Sequence, residues 1–128
     1  GIEVSYRALV KDAPQAYSEA NVAKYKVQPH KIADDIVNGV MRKVYCPTEA
    51  QVKAVEAICK GLQKAFPKLE MKFPRKPDGS LARGKMIDPK GLMLHYHCSP
   101  DGKIDAAGFP MEELENALEC PSNFYDNL

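Results

Sequence analysis

The densest run of chemically capable side chains is His95-Tyr96-His97-Cys98-Ser99-Pro100-Asp101-Gly102-Lys103-Ile104-Asp105. It sets an imidazole at His95, a carboxylate ten residues later at Asp105, and an ammonium at Lys103, two residues before that carboxylate. Zinc accepts imidazole nitrogen and carboxylate oxygen, and a catalytic zinc keeps one position open for water. A lysine beside such a site can stabilise an oxyanion. One His and one Asp do not by themselves make a metal site, and a lone His near a strand end is more often structural. The other histidine outside this run, His30, follows Pro29 in an irregular stretch and reads as a surface residue.

Several elements must position these groups. Gly91–His97 reads as a strand, with Leu92 and Leu94 on one face and His95 and His97 on the other. Pro110 to Leu118 reads as a short closing helix, with Met111, Leu114 and Leu118 on one side. The clearest helix opens at Thr48, whose spacing to Gln51 is that of a capping box. Its apolar stripe runs through Val52, Val55, Ile58, Cys59, Leu62 and Phe66 and ends at Pro67. That stripe reads as plain core packing.

Upstream, Gly1–Tyr6 alternates as a short strand, with Ile2 and Val4 on one face. Residues 7–29 show little periodicity and read as a loop or insertion. From Lys31 to Val44 the apolar residues Ile32, Ile36, Val37, Val40, Met41 and Val44 fall at helical spacing, which predicts a helix despite Gly39. Residues 67–90 are basic and rich in Pro and Gly, as a solvated loop would be; the alternative is a surface for an anionic polymer.

Composition bounds the rest. With 128 residues, 45% hydrophobic and 27% charged, the chain suits one domain or part of one. A net charge of +1 gives no electrostatic case for a nucleic-acid partner. No apolar run approaches the ~20 residues that span a bilayer, and no signal-peptide pattern opens the chain. Cys46, Cys59, Cys98 and Cys120 lack Cys-x-x-Cys spacing, which excludes a zinc ribbon. Two disulfides are permitted; free thiols are the plainer reading.

His95, Pro100, Lys103 and Asp105 fall at the spacings of the C-terminal motif of the type 2 N-acetylmuramoyl-L-alanine amidases, and the segment resembles that family. The family's Gly before the His is Leu94 here, and its Pro-Gly after the Asp is replaced by Ala106-Ala107-Gly108. Gly1-Ile2-Glu3-Val4 is similar to the family's Ile-Gly-Ile-Glu strand, and Thr48 to Gln51 with Phe66-Pro67 is similar to its following helix. Residues 7–45 have no counterpart in the family pattern and read as an insertion or variable segment.

The resemblance implies an α/β fold: a mixed central β-sheet flanked by helices, of which residues 1–128 are the C-terminal part. It implies Zn²⁺ as cofactor, with His95 and Asp105 as ligands. In phage branches of the family the last ligand lies eight residues after the His, a spacing met by His97, which is the alternative ligand. It implies Glu3 as the general acid–base and Lys103 as oxyanion stabiliser. The family's first His ligand lies on an earlier strand, so an N-terminal partner chain or segment is expected to supply it and complete the sheet. The implied substrate is peptidoglycan or muropeptides, cut between N-acetylmuramic acid and L-alanine, at the bacterial cell wall. A non-catalytic peptidoglycan-binding module on the same fold is the alternative.

Overall fold

The computed structural model describes residues 1–99 and 101–119. Within them the chain is mixed α/β, with four helices and one two-stranded antiparallel sheet. In chain order these are α1 (Glu19–Tyr25), β1 (Ile32–Val37), β2 (Val40–Tyr45), α2 (Glu49–Ala65), α3 (His95–Cys98) and α4 (Met111–Glu119). No helix among the described residues is long and apolar enough to cross a membrane.

Two of the expected helices form. In α2 the Thr48 hydroxyl accepts from the Gln51 amide at 3.1 Å, and the Gln51 side chain accepts from the Thr48 amide at 2.9 Å. This reciprocal pair satisfies two donors that a helix start otherwise leaves unpaired. In α4, Met111, Leu114 and Leu118 are buried, and α4 packs against α2. Glu115, also buried on α4, accepts from the Arg75 guanidinium at 2.5 and 2.8 Å, so its charge is paired.

Three expectations give way. The predicted helix from Lys31 to Val44 is the hairpin β1–β2, with Ile36 opposite Met41 and Val37 opposite Val40. Asn38 (φ 52°) and Gly39 (φ 80°) form its two-residue turn. Both central residues need positive φ in such a turn, and Asn-Gly supplies it. The β-branched residues on either side then favour strands. Within residues 7–29, expected to be irregular, Ser18 caps α1 by accepting from the Asn21 amide. Gly1–Tyr6 forms no strand, since no neighbouring strand among the described residues takes up its ladder hydrogen bonds.

The apolar stripe of α2 is covered on one side only. Val55 and Cys59 join the core with Leu114 and Leu118, whereas Ile58, Leu62 and Phe66 are 46%, 38% and 59% exposed. Core packing therefore explains Val55 and Cys59 of that stripe and not Ile58, Leu62 or Phe66. Cys46, Cys59 and Cys98 are free thiols; Cys120 lies outside the described residues.

A few long-range contacts fix the loops that follow. Asp35 of β1 accepts from Arg83 Nη1 at 3.0 Å and from the Gly108 amide at 2.9 Å. Gly108 has φ 77°, and a Cβ there would stand 2.7 Å from the Tyr45 carbonyl. Gly61, on the exposed side of α2, has nothing within 4 Å of such a Cβ. The two glycines should therefore respond oppositely to alanine. Gly108→Ala should cost about 2 kcal/mol or more, from positive φ and the clash. Gly61→Ala should add about 0.5–1 kcal/mol. Urea unfolding midpoints of the two variants check both signs.

Candidate metal and catalytic site

His95 is the first residue of α3, and Asp105 lies on the loop between α3 and α4. The Tyr96 amide donates to the Asp105 carbonyl at 2.9 Å, which draws the loop back against the helix start. His95 Nδ1 then stands 2.9 Å from Asp105 Oδ2. An ionised carboxylate only accepts, so Nδ1 carries the hydrogen and Nε2 is left as acceptor. Both side chains are half exposed, at 50% and 59%. An exposed pair of this kind contributes little to stability.

Two ligands of a common tetrahedral zinc stand about 3.3–3.6 Å apart at ordinary bond lengths. The 2.9 Å His95–Asp105 contact is a hydrogen bond, so the two groups could hold one zinc ion only if Nδ1 gave up its hydrogen and the pair opened by about 0.4–0.7 Å. Among the described residues no group of three His, Cys, Asp or Glu side chains gathers to complete a zinc site.

His95 and Asp105 line a cavity of about 1400 Å³, whose wall also includes Glu3, Tyr6, Cys98 and, on its apolar side, Leu62 of α2. Glu3, ninety-odd residues away in sequence, thus borders the same space as the pair. Lys103 is exposed and is not part of the cavity wall; its backbone carbonyl accepts from Asn38 Nδ2 at 3.3 Å. Pro100, which shares the motif with these residues, lies outside the described residues.

His97 goes elsewhere. The expected strand from Gly91 to His97 does not form: the chain bends at Gly91 (φ 79°) and Leu92 and passes through extended Leu94 into the single turn of α3. Period-two alternation is lost, and His95 and His97 part company. His97 is fully buried; its Nδ1 accepts from the Leu94 amide at 2.9 Å, and its Nε2 donates to the Ala82 carbonyl at 2.7 Å. This capping bond is what turns the chain at Leu94. Both ring nitrogens are occupied, which leaves His97 no lone pair for a metal. Burial pushes its pKa down, partly offset by the Ala82 carbonyl, which favours the charged form.

Two further groups, Tyr6 in the cavity wall and His30 packed behind it, carry no sequence motif to announce them. His30, expected at the surface, is half-buried: its ring donates to the Cys46 carbonyl at 2.7 Å and lies 4.0 Å from the Tyr17 ring. Tyr6 stacks on His30 at 5.6 Å and donates its hydroxyl to the Ala107 carbonyl at 2.7 Å. Burial, reinforced by Cys46, Asp35 and Asp105, raises the Tyr6 pKa far above the ordinary phenol value, so it stays a neutral donor. Each contact spans loops that local sequence does not connect.

No family model, curated protein or solved structure matches this chain.

The burial of His97 has a consequence for acid stability. In the unfolded chain its imidazole titrates near about 6.5, and in the folded chain lower. Between those two values the unfolded chain binds a proton that the folded chain does not. Stability contributed by neutral His97 is therefore present above pH ~6.5 and is lost as pH falls towards the folded value. His97→Gln, which keeps a donor and an acceptor, should remove that component. Chemical denaturation from pH 7 to pH 5 should show a steeper loss in wild type than in the variant, by up to about 1.4 kcal/mol per pH unit.

Proposed function

We propose that this chain is the C-terminal part of a zinc-dependent N-acetylmuramoyl-L-alanine amidase, which hydrolyses the amide between the lactyl group of N-acetylmuramic acid and L-alanine in peptidoglycan or muropeptides. The observation that carries the reading is the contact of His95 with Asp105 on the rim of a cavity that Glu3 also lines. These are the residues that the motif resemblance selects from two distant stretches of sequence. The third donor is a His from an N-terminal partner chain or segment, which also brings the strands of a mixed central sheet; the hairpin β1–β2 belongs to residues 7–45, outside the family pattern. The half-covered stripe of α2 supports that division, because Ile58, Leu62 and Phe66 are left for something to cover.

His95 and Asp105 are the residues that would hold the zinc ion. Bound there, zinc supplies a Lewis acid that polarises the amide carbonyl and brings the pKa of water towards ~7. Glu3 takes a proton from the attacking water and gives it to the leaving amine of L-alanine. Asp105 would bring a negative charge to the ligand set, with the Nδ1 hydrogen that it now accepts given up as the metal binds. Lys103 is the cation for the oxyanion, two residues from Asp105 on the same loop; since it stands outside the cavity wall, its part requires the side chain to reach over the rim when substrate is bound. The apolar side of the cavity is suited to the methyl and ring carbons of a muramoyl group.

A second reading is a non-catalytic peptidoglycan-binding module. It is favoured by one observation, that the described residues gather no three-donor group.

The test uses the complete assembly, with whatever chain supplies the third donor, and a muramoyl peptide whose released L-alanine amino terminus is detected by mass spectrometry. Wild type should cut it. Glu3→Gln and Lys103→Ala should retain zinc and lose at least about a hundredfold in kcat, since general acid–base catalysis contributes ~10²–10⁴-fold and one oxyanion donor ~10²–10³. Retained hydrolysis in either variant removes that residue from the mechanism. Binding without cutting in wild type establishes the recognition module instead.

A further inference from the structure

The His95–Asp105 pair is open to solvent, and a hydrogen bond between two half-exposed side chains does not hold its own geometry. What holds it must lie in the backbone beneath. The loop from Ile104 to Gly108 is tethered at three places. The Asp105 carbonyl accepts from the Tyr96 amide at 2.9 Å. The Gly108 amide donates to Asp35 at 2.9 Å. Between them, the Ala107 carbonyl accepts from the Tyr6 hydroxyl at 2.7 Å. The first two tethers come from the body of the fold. The third comes from the opening segment, 101 residues away in sequence, which also carries Glu3.

That segment is itself pinned residue by residue. The Ser5 carbonyl accepts from Gln51 Nε2 at 2.9 Å. The Arg7 amide donates to the Tyr17 hydroxyl at 2.8 Å. The Ala8 carbonyl accepts from the Tyr45 amide at 2.9 Å. The Tyr6 ring cannot swing away, because it stacks on His30 with planes 21° apart, and His30 is in turn held by the Cys46 carbonyl. A fixed phenol therefore meets a loop carbonyl two residues beyond Asp105.

We infer that Tyr6 is a positioning residue: its hydroxyl, by holding the Ala107 carbonyl, sets the loop so that the Asp105 carboxylate meets Nδ1 of His95. The bond does two things at once. It stops the peptide at Ala106-Ala107 from rotating, which would carry the Asp105 side chain off the His95 ring. It also ties the stretch bearing Glu3 to the stretch bearing Asp105, so that both sides of the cavity move as one. The functional weight of this role rests on the amidase reading; the geometric role does not. A group that orients a metal-binding His or carboxylate from behind typically affects metal affinity or activity by 10–100-fold.

Tyr45 provides the control. Its hydroxyl donates to the Ala13 carbonyl at the same 2.7 Å, and its ring meets Tyr17 in the same aromatic cluster; what lies against Gly108 of the Asp105 loop is its backbone carbonyl, which a change of the hydroxyl leaves in place. Tyr6→Phe and Tyr45→Phe each remove one hydroxyl-to-carbonyl bond of equal length and keep the ring.

The experiment is ¹⁵N NMR of the full chain with labelled histidines, metal-free, at a pH where imidazole is neutral. Wild type should show His95 in the Nδ1–H tautomer and His97 in the Nε2–H tautomer. In Tyr6→Phe, His95 should relax towards the mixture of free imidazole while His97 keeps its tautomer. In Tyr45→Phe both rings should match wild type. The inference is overturned if Tyr6→Phe leaves His95 unchanged, if Tyr45→Phe disturbs it equally, or if wild-type His95 is not in the Nδ1–H form. A second arm titrates zinc into the complete assembly, where Tyr6→Phe should bind about 10–100-fold more weakly than Tyr45→Phe. Equal affinities overturn the link to the metal. Absence of zinc binding in wild type, with the tautomer effect intact, overturns the zinc reading and leaves the positioning role standing.

Discussion

The carboxylate of Asp35 joins three stretches of chain that no secondary structure connects. It stands on β1, accepts from Arg83 at 3.0 Å and accepts from the Gly108 amide at 2.9 Å. Around it the loops lock in sequence. The Asn38 amide donates to the Arg83 carbonyl, the neighbouring Ala82 carbonyl accepts from His97, and the Met86 amide donates to the His97 carbonyl. His97 in turn caps the turn at Leu94 that presents His95. A two-stranded hairpin is marginal alone. Here its stability comes from serving as the frame on which residues 81–108 are hung. The side of Asp35 that faces Gly108 also limits where Asp105 can be, three residues earlier.

How much of this is legible in the sequence follows from how local each signal is. The capping box at Thr48 and the closing helix after Pro110 are local patterns, and both form. The turn Asn38-Gly39 is equally local, yet six apolar residues that fit helical spacing also fit two strands, and the turn dipeptide decides between them. The His95–Asp105 pair is legible because its spacing resembles a motif. The divergence of His95 from His97 is not, because it depends on Ala82, fifteen residues upstream, offering a carbonyl to a buried ring. Tyr6 and His30 are illegible for the same reason: their partners are Ala107 and Cys46, and nothing in the neighbourhood of either residue forecasts them.

The exposed apolar residues have a consistent distribution. On the hairpin, Ile36 and Met41 face each other across the strands and are 40% and 63% exposed. On α2 the uncovered residues continue the line of Val55 and Cys59, and Leu62 forms part of the cavity wall. Burying apolar area is worth roughly 25 cal/mol per Å², so a segment seated along α2 would gain both cohesion and access to the His95–Asp105 rim. A His carried on such a segment would arrive beside His95 and Asp105. Completion of the core and completion of the ligand set then become one event, as expected where metal binding is coupled to folding.

Zinc stoichiometry of the complete assembly, measured by mass spectrometric metal analysis on His95→Ala and His97→Ala, tests the central claim most directly. His95→Ala should contain no zinc, because it loses a ligand. His97→Ala should retain zinc wherever it remains folded, because both nitrogens of that ring are engaged by Leu94 and Ala82. Zinc retained in His95→Ala and lost in a folded His97→Ala would contradict the site as built here.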